Sequence, residues 1–288
     1  MSKLNLGRIG FGCMKASFSA SDENRQSTTE AIHFALDQGV RLFDTADIYA
    51  PSWDTFGHNE RLVAEAVHSH PLGNQAIIAT KSGITRKPGE FWGRNATLDY
   101  LLRAVEASCG RLGVDSLTLW QHHRLDPNLT FEEQIHNIAG LKTRGLIQNI
   151  GVSNYSAKQL RRAVEVFGPI TSVQNQLSPA YRQELDVLEV CEEFDIAYLP
   201  WSPMKGAHPK DASAALVDFA KNHNASTYAV TVAWLTSLSS KVVPLPGITR
   251  VDSVRDAMSG LDIQLNGEFP LQGTLPMDAE LLSDQPKN

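Results

Sequence analysis

At 288 residues the chain is long for one ordinary domain, but single α/β barrels routinely reach about 250 residues and more. Its 42% hydrophobic and 20% charged residues are globular values and exclude a disordered or fibrous chain. A formal charge of -6 excludes attraction to nucleic acid or an anionic membrane through the overall field, so any anionic ligand must be met by local cations and backbone N–H groups.

The opening segment, MSKLNLGRIG, lacks the apolar core of a signal peptide, and no apolar run approaches the ~20 residues needed to cross a bilayer. Cys13, Cys109 and Cys191 form no CxxC motif and read as small buried hydrophobes in a reducing compartment. A cytoplasmic protein is expected.

Eight short runs of apolar and β-branched residues follow in order: 8–14, 40–46, 76–83, 116–123, 147–154, 172–177, 196–203 and 241–247. They predict strands buried on both faces, with 172–177 the least apolar. Helical patterns alternate with them at 24–38, 59–69, 97–112, 131–144, 156–167 and 184–194. Two more, 211–223 and 227–238, precede the last strand, and another begins near Asp252. In the first helix Ile32, Ala35 and Leu36 share a face, and Gly39 suits a C-terminal stop. Thr97 and Ser156 suit N-caps, and Thr130 precedes the helix start Phe131-Glu132-Glu133.

This alternation predicts a (β/α)8 TIM barrel, a parallel eight-stranded barrel with residues 1–288 as a single domain. The rival is an open doubly wound sheet. Its dinucleotide-binding form wants GxGxxG after the first strand, and GFGCMK lacks the third glycine. Two connections, 50–58 and 84–96, exceed the ~2–6 residues usual after a barrel strand. They follow the second and third strands, where a barrel builds its pocket, and Trp53, Phe56, Phe91 and Trp92 predict a pocket wall there.

Polar residues at the C-terminal ends of barrel strands read as functional. Here they are Asp44 with Tyr49, Thr80-Lys81, Gln121-His122-His123, Ser153-Asn154, Gln174-Asn175 and Trp201-Ser202. A carboxylate, a lysine, a phenol and an imidazole on one rim make an acid–base set. A free phenol, with a pKa near 10, is a weak proton donor at neutral pH. An ammonium at ~4 Å favours phenolate by about 4 kcal/mol at an effective dielectric of ~20, before desolvation. That is expected to bring the phenol down by roughly one to three pH units. Lys81 needs a balancing anion, and Asp44 is the natural partner. A histidine beside the phenol can orient a substrate oxygen. Such a set serves protonation of an oxyanion as hydride reaches carbonyl carbon. Taken singly, Tyr49 reads more often as a packing aromatic and Lys81 or Asp44 as a member of a surface ion pair; their conjunction on one rim is what points to chemistry. A barrel lyase using Lys81 as a Schiff base is a further alternative.

The segments FDTADIY, HNERLVAEAV, ATKSG, RLGVDSLTLWQHHRLDP, GLIQNIGVSNYS, SVQNQLSP, LPWSPM and PLPGITRVDSV run in order through about 9–257. Together they resemble the aldo-keto reductase family. The resemblance implies an NADP-dependent oxidoreductase that reduces aldehydes or ketones to alcohols, without a metal. It makes Tyr49 the general acid, supported by Asp44 and Lys81. It selects His123 over His122, which strand alternation sends to the other face. Ser153, Asn154 and Gln174 match residues that hold the nicotinamide carboxamide, and Trp201 matches an aromatic stacked on that ring. Ser202, Met204 and Lys205 match the loop along the pyrophosphate. Gly247, Thr249 and Arg250 match the adenosine end, where Arg250 would favour NADPH, with NADH possible. The expected partner is a small carbonyl substrate, not nucleic acid or membrane, and no oligomeric state is implied.

The resemblance is not complete. Ser253 and Ala257 replace larger polar groups, the hairpin that closes the barrel bottom in many members is short or absent, and the tail with Phe269, Pro270 and Pro276 is too short for a long C-terminal loop. Some relatives are cofactor-sensing subunits, which leaves a cofactor-binding regulatory subunit with little turnover as the alternative function.

Overall fold

The computed structural model describes residues 4–17, 22–183 and 185–265. The β-branched and apolar runs become parallel strands: β1 (Gly10–Gly12), β2 (Leu42–Asp44), β3 (Ile77–Ser82), β6 (Leu117–His122), β7 (Ile147–Ser153), β8 (Ser172–Gln174) and β9 (Ala197–Tyr198). β4 (Ile84–Lys87) and β5 (Phe91–Arg94) lie between β3 and β6 in the chain, outside this sheet. The parallel order is β1-β2-β3-β6-β7-β8-β9, with Phe43 opposite Ile78, Lys81 opposite Gln121 and Ser153 opposite Gln174.

The eighth strand expected at 241–247 closes the barrel without forming a regular ladder. On one edge Tyr198 N donates to Lys241 O (2.8 Å) and Val243 N donates to Tyr198 O (2.9 Å). On the other, Gly10 N donates to Pro244 O (3.0 Å), Gly12 N to Pro246 O (2.9 Å) and Ile248 N to Gly12 O (3.1 Å). Pro244 and Pro246 have no N–H to give, so the pairing is interrupted while both sheet edges are still covered. The result is a (β/α)8 barrel.

Helices wrap the strands: α1 (Asp22–Asp37), α2 (His58–His68), α3 (Leu98–Leu112), α4 (Phe131–Thr143), α5 (Ala157–Phe167), α6 (Asp186–Phe194), α7 (Ala214–Asn222), α8 (Thr227–Leu238) and α9 (Val251–Ser259). Their starts follow capping chemistry. Thr97 Oγ1 accepts from Tyr100 N, and Thr130 with Glu133 and Ser156 with Gln159 form reciprocal capping boxes. α7 begins at Ala214 rather than 211 because Ser213 caps it. No helix among the described residues is long and apolar enough to cross a membrane.

Alternation sorts the core into layers. Leu42, Ile77, Ala79, Leu119, Leu199, Val243 and Leu245 form one buried cluster, joined by Leu6 from the N-terminal segment. Two residues further along the same strands stand Asp44, Lys81 and Gln121, so a polar layer caps the apolar one at the C-terminal mouth. The intervening residues, among them Phe43, Ile78 and Trp120, pack outward against the helices.

The connection at 84–96, expected as an irregular loop, is the antiparallel hairpin β4–β5, pairing Ile84 with Arg94 and Lys87 with Phe91. Its turn holds Gly89 and Glu90 at positive φ (79° and 61°), a conformation that a Pro-Gly sequence starts readily. The tail with Phe269, Pro270 and Pro276 lies outside the described residues.

Candidate active site

Lys81 projects from β3 into the barrel with none of its surface exposed. Its Nζ donates to Asp44 Oδ2 (2.7 Å), to the carbonyl of Thr45 (2.7 Å) and to Tyr49 OH (3.4 Å). Three acceptors satisfy three ammonium protons, which is what a fully buried charge requires. Asp44 is equally well bound: its Oδ1 accepts from Gln121 Nε2 (3.2 Å) and Gln174 Nε2 (2.9 Å). Burial alone would lower the Lys81 pKa, but Asp44 and then Tyr49 outweigh it and hold the ammonium above its ordinary range.

Tyr49 sits just beyond β2. Its N–H donates to Ala46 O (3.2 Å) and its carbonyl accepts from Asn59 N (3.0 Å). Lys81 Nζ lies 5.0 Å from the ring centre, and the His123 ring approaches edge-on with centroids 5.9 Å apart. The sequence-based expectation that Lys81 drags the phenol below its usual pKa is corrected here. Burial pushes Tyr49 up, Lys81 pulls it back only in part, and Asp44 adds to the rise, so the net direction is upward. The phenol is therefore fully protonated at neutral pH.

His123 follows the last residue of β6 and is buried, and its Nδ1 has no partner. Burial first, then the positive charges of Lys81 and Arg124, push its pKa well below the ordinary histidine value, so the ring is neutral. His122 points to the outer side of the barrel, where its Nδ1 pairs with Tyr155 OH (2.9 Å) and its ring stacks near Trp120.

The remaining candidates share the same rim. Ser153 Oγ donates to Gln174 O (2.8 Å), Asn154 Nδ2 to Ser153 Oγ (2.6 Å), and Trp201 Nε1 to Asn154 Oδ1 (3.0 Å), a chain linking β7, β8 and the end of the seventh barrel strand. Asn154 takes a left-handed φ of 59°, which asparagine tolerates better than most residues, and Ser202 does so at 49°. Arg124 lies over the Trp201 ring at 5.7 Å. Met204 and Lys205 are half-buried in the turn after Trp201, which meets the 178–182 loop through Ala180 N donating to Lys205 O (3.2 Å).

Gly247 is exposed, and a Cβ built on it would meet only Lys15 Cδ, at 3.8 Å. Ser27 Oγ donates to Thr249 O (2.6 Å), and Arg250 is the exposed residue at the start of α9, with no side chain capping that helix. An open glycine backbone, an uncapped helix N-terminus and nearby Lys15 and Arg250 form a donor set that fits the phosphates of a dinucleotide.

Two contributors, Asn59 and Arg86, carry no signal in the sequence, and the role of a third is visible only in the fold: Gln121, a rim residue by sequence, holds Asp44. Asn59 organises the Tyr49 loop: besides the Tyr49 carbonyl it contacts Thr45 Oγ1 (2.6 Å), Cys13 O (2.8 Å) and Ser17 Oγ (2.8 Å). Arg86 of β4 reaches the backbone around Tyr49. Inward alternation on β6 could have flagged Gln121, whereas nothing local flags the other two. Of the four loop aromatics, Phe56 turns to a cavity of about 450 Å³ shared with Asp47, Tyr100 and Arg111, whereas Trp53, Phe91 and Trp92 are exposed.

A sequence profile described as the aldo/keto reductase family matches residues 8–269. An uncharacterized oxidoreductase of Schizosaccharomyces pombe is 30% identical over 266 residues, covering 91% of this chain and 84% of the relative. A second protein of that organism, named for aldo-keto reductase activity with NADP(+), is 25% identical over 294 residues, covering 90% and 84%. Among solved structures, a thermostable aldo-keto reductase in complex with the inhibitor epalrestat superposes with a TM-score of 0.74 at 25% identity, covering 93% of this chain and 97% of that one.

Proposed function

The chain belongs to the aldo/keto reductase family of oxidoreductases, and on that premise we propose that it is an NADPH-dependent reductase of aldehydes or ketones in which Tyr49 donates the proton. One observation carries the proposal. Tyr49 OH lies 3.4 Å from an ammonium that is buried, fully bonded and balanced by Asp44, with a neutral imidazole beside it.

Bound NADPH would supply hydride to the carbonyl carbon. Trp201 would support the nicotinamide ring, and Ser153, Asn154 and Gln174 would receive its carboxamide. Gln174 already gives Nε2 to Asp44, which leaves its Oε1 as the acceptor for a carboxamide N–H. Ser202, Met204 and Lys205 would hold the pyrophosphate, and Gly247, Thr249 and Arg250 the adenosine end, where Arg250 could pair with a 2′-phosphate. The second S. pombe relative is named for NADP(+), which supports the same choice.

At the reacting end the substrate oxygen sits between Tyr49 OH and His123. The His123 Nδ1 is buried away from the mouth, which leaves Nε2 as the ring nitrogen that faces a substrate; protonated there, the neutral ring would donate to the carbonyl and polarise it. As negative charge gathers on that oxygen, the Tyr49 proton moves to it. The phenolate left behind is held by Lys81, whose ammonium is already in place and needs no reorganisation. A high resting pKa keeps the donor loaded, and the ammonium lowers the energy of its ionised form only when transfer occurs.

The direct test is absorbance at 340 nm with NADPH and a panel of aldehydes and ketones. Steady oxidation that requires a carbonyl is expected. Tight NADPH binding without turnover on any member would favour a regulatory subunit instead.

A further inference from the structure

We propose that Arg86, on the hairpin inserted after the third barrel strand, is a positioning residue that clamps the backbone on both sides of Tyr49. The proposal rests on the reading of Tyr49 as proton donor for its effect on turnover, but not for its effect on where Tyr49 stands.

The geometry is specific. Arg86 Nη1 donates to Ile48 O (3.2 Å) and to Ala50 O (2.9 Å), the carbonyls immediately before and after Tyr49. Its side chain is 5% exposed. A guanidinium so dehydrated needs a counter-charge, and Glu90 supplies it: one carboxylate oxygen, Oε2, accepts from both Nε and Nη2. The other, Oε1, accepts from Trp53 N (2.9 Å), so the hairpin grips the same loop a second time three residues further on. Arg86 and Trp92 are cross-strand partners, and the guanidinium lies 4.8 Å from the indole centre.

The Ile48 carbonyl belongs to the peptide plane that enters the Tyr49 Cα, and the Tyr49 carbonyl, held by Asn59 N, to the plane that leaves it. Pinning Ala50 O stops the next plane from turning, so Arg86 and Asn59 together set the direction of the Tyr49 side chain. Elsewhere in that loop the Tyr49 backbone is held by Ala46 O and Asn59 N. Apart from the Trp53–Glu90 contact, Ser52 and Thr55 bond mainly to each other, so Arg86 is the side chain that ties the segment directly after Tyr49 to the hairpin. A misplacement of about 1 Å at a reacting group can slow chemistry by about 100-fold. The Tyr49–Lys81 contact, at 3.4 Å, has little slack. Hence the hairpin acts on the reaction through Tyr49 without touching substrate. It also gives the exposed Trp92 and Glu90 a function unrelated to lining a pocket.

The test labels the protein with ζ-13C tyrosine and identifies the Tyr49 signal by its loss in Tyr49→Phe. In Arg86→Gln the signal should move toward that of solvent-exposed tyrosines, while kcat falls 10- to 100-fold and the KM for NADPH stays within twofold. Arg86→Lys, which keeps the charge and can reach one carbonyl but has no fork, should recover part of both changes. Glu90→Gln, which leaves Arg86 in place but removes its anchor, should shift the signal in the same direction with a three- to tenfold loss of kcat. It decides the matter if Arg86→Gln does not fold. An unmoved Tyr49 signal with kcat within threefold in the folded variants overturns the proposal. If Tyr49→Phe retains turnover while the Arg86 variants still move the signal, the clamp stands and the proton-donor reading falls.

Discussion

Lys81 keeps a full charge with no contact with water because every one of its protons has an acceptor. Removing it leaves Asp44 buried and half satisfied. Lys81→Met should therefore destabilise the fold by about 3–5 kcal/mol, the usual loss when one member of a buried pair is deleted. The two glutamine amides that remain on Asp44 Oδ1 favour the lower end of that range. Urea unfolding measures it, and a loss below about 1 kcal/mol would mean that the pair contributes little. At the other end of the mouth, Arg250→Ala should weaken NADPH binding at least tenfold and NADH binding less than twofold, as read by quenching of tryptophan emission. Equal weakening of both would reject the 2′-phosphate assignment. That Asp44, Tyr49 and Lys81 lie together was legible because Asp44 and Lys81 stand at the C-terminal ends of neighbouring strands and Tyr49 follows Asp44 in the next loop. The direction of the Tyr49 pKa was not, because pairwise attraction can be estimated from residue types whereas desolvation depends on burial that only the fold reveals.

Single elements carry the next set of consequences. β6 presents Gln121 to the interior and His122 to the helices, and both are buried. Burial lowers the His122 pKa to about 4, with Asp126 acting weakly against it. An unfolded histidine titrates near 6.5. The folded state therefore refuses a proton that the unfolded chain accepts, and stability present above about pH 6.5 is lost as pH falls toward 4. At pH 4.5 the loss from His122 alone should reach roughly 2–3 kcal/mol. Urea melts of wild type and His122→Gln at pH 7.5 and 4.5 check this: the variant should show the shallower pH dependence, and equal slopes would refute it. Beside β6, Gly151 of β7 admits Gln121. A Cβ there would come within 2.4 Å of Ser172 Oγ and 2.7 Å of Gln121 Cγ. Gly151→Ala should thus cost about 1–3 kcal/mol in thermal or urea unfolding and loosen the amide on Asp44; an unchanged midpoint would show that the barrel wall gives way freely. The helices were legible through their caps, Thr97, Thr130 and Ser156, since capping chemistry is local. The β4–β5 hairpin was not, because its short strands pair only with each other and the aromatics of β5, Phe91 and Trp92, resemble those of a pocket loop.

The whole molecule places an apolar layer below and a polar layer above on the same short strands, so one closed sheet supplies both stability and the site. Its closure by residues 241–248 was legible as a strand, but the interruption at Pro244 and Pro246 follows from which backbone groups face each edge, which depends on register. The same segment runs directly into Gly247, Thr249 and Arg250, so the stretch of chain that closes the barrel also carries the residues proposed to meet the adenosine end. The central claim concerns what stands at the middle of this arrangement, and Tyr49→Phe tests it with the least change in shape. Carbonyl-dependent NADPH oxidation should fall by about 100- to 10,000-fold, the range for loss of a general acid, while NADPH affinity stays within about twofold. Turnover within a few-fold of wild type, with affinity equally intact, would contradict the account.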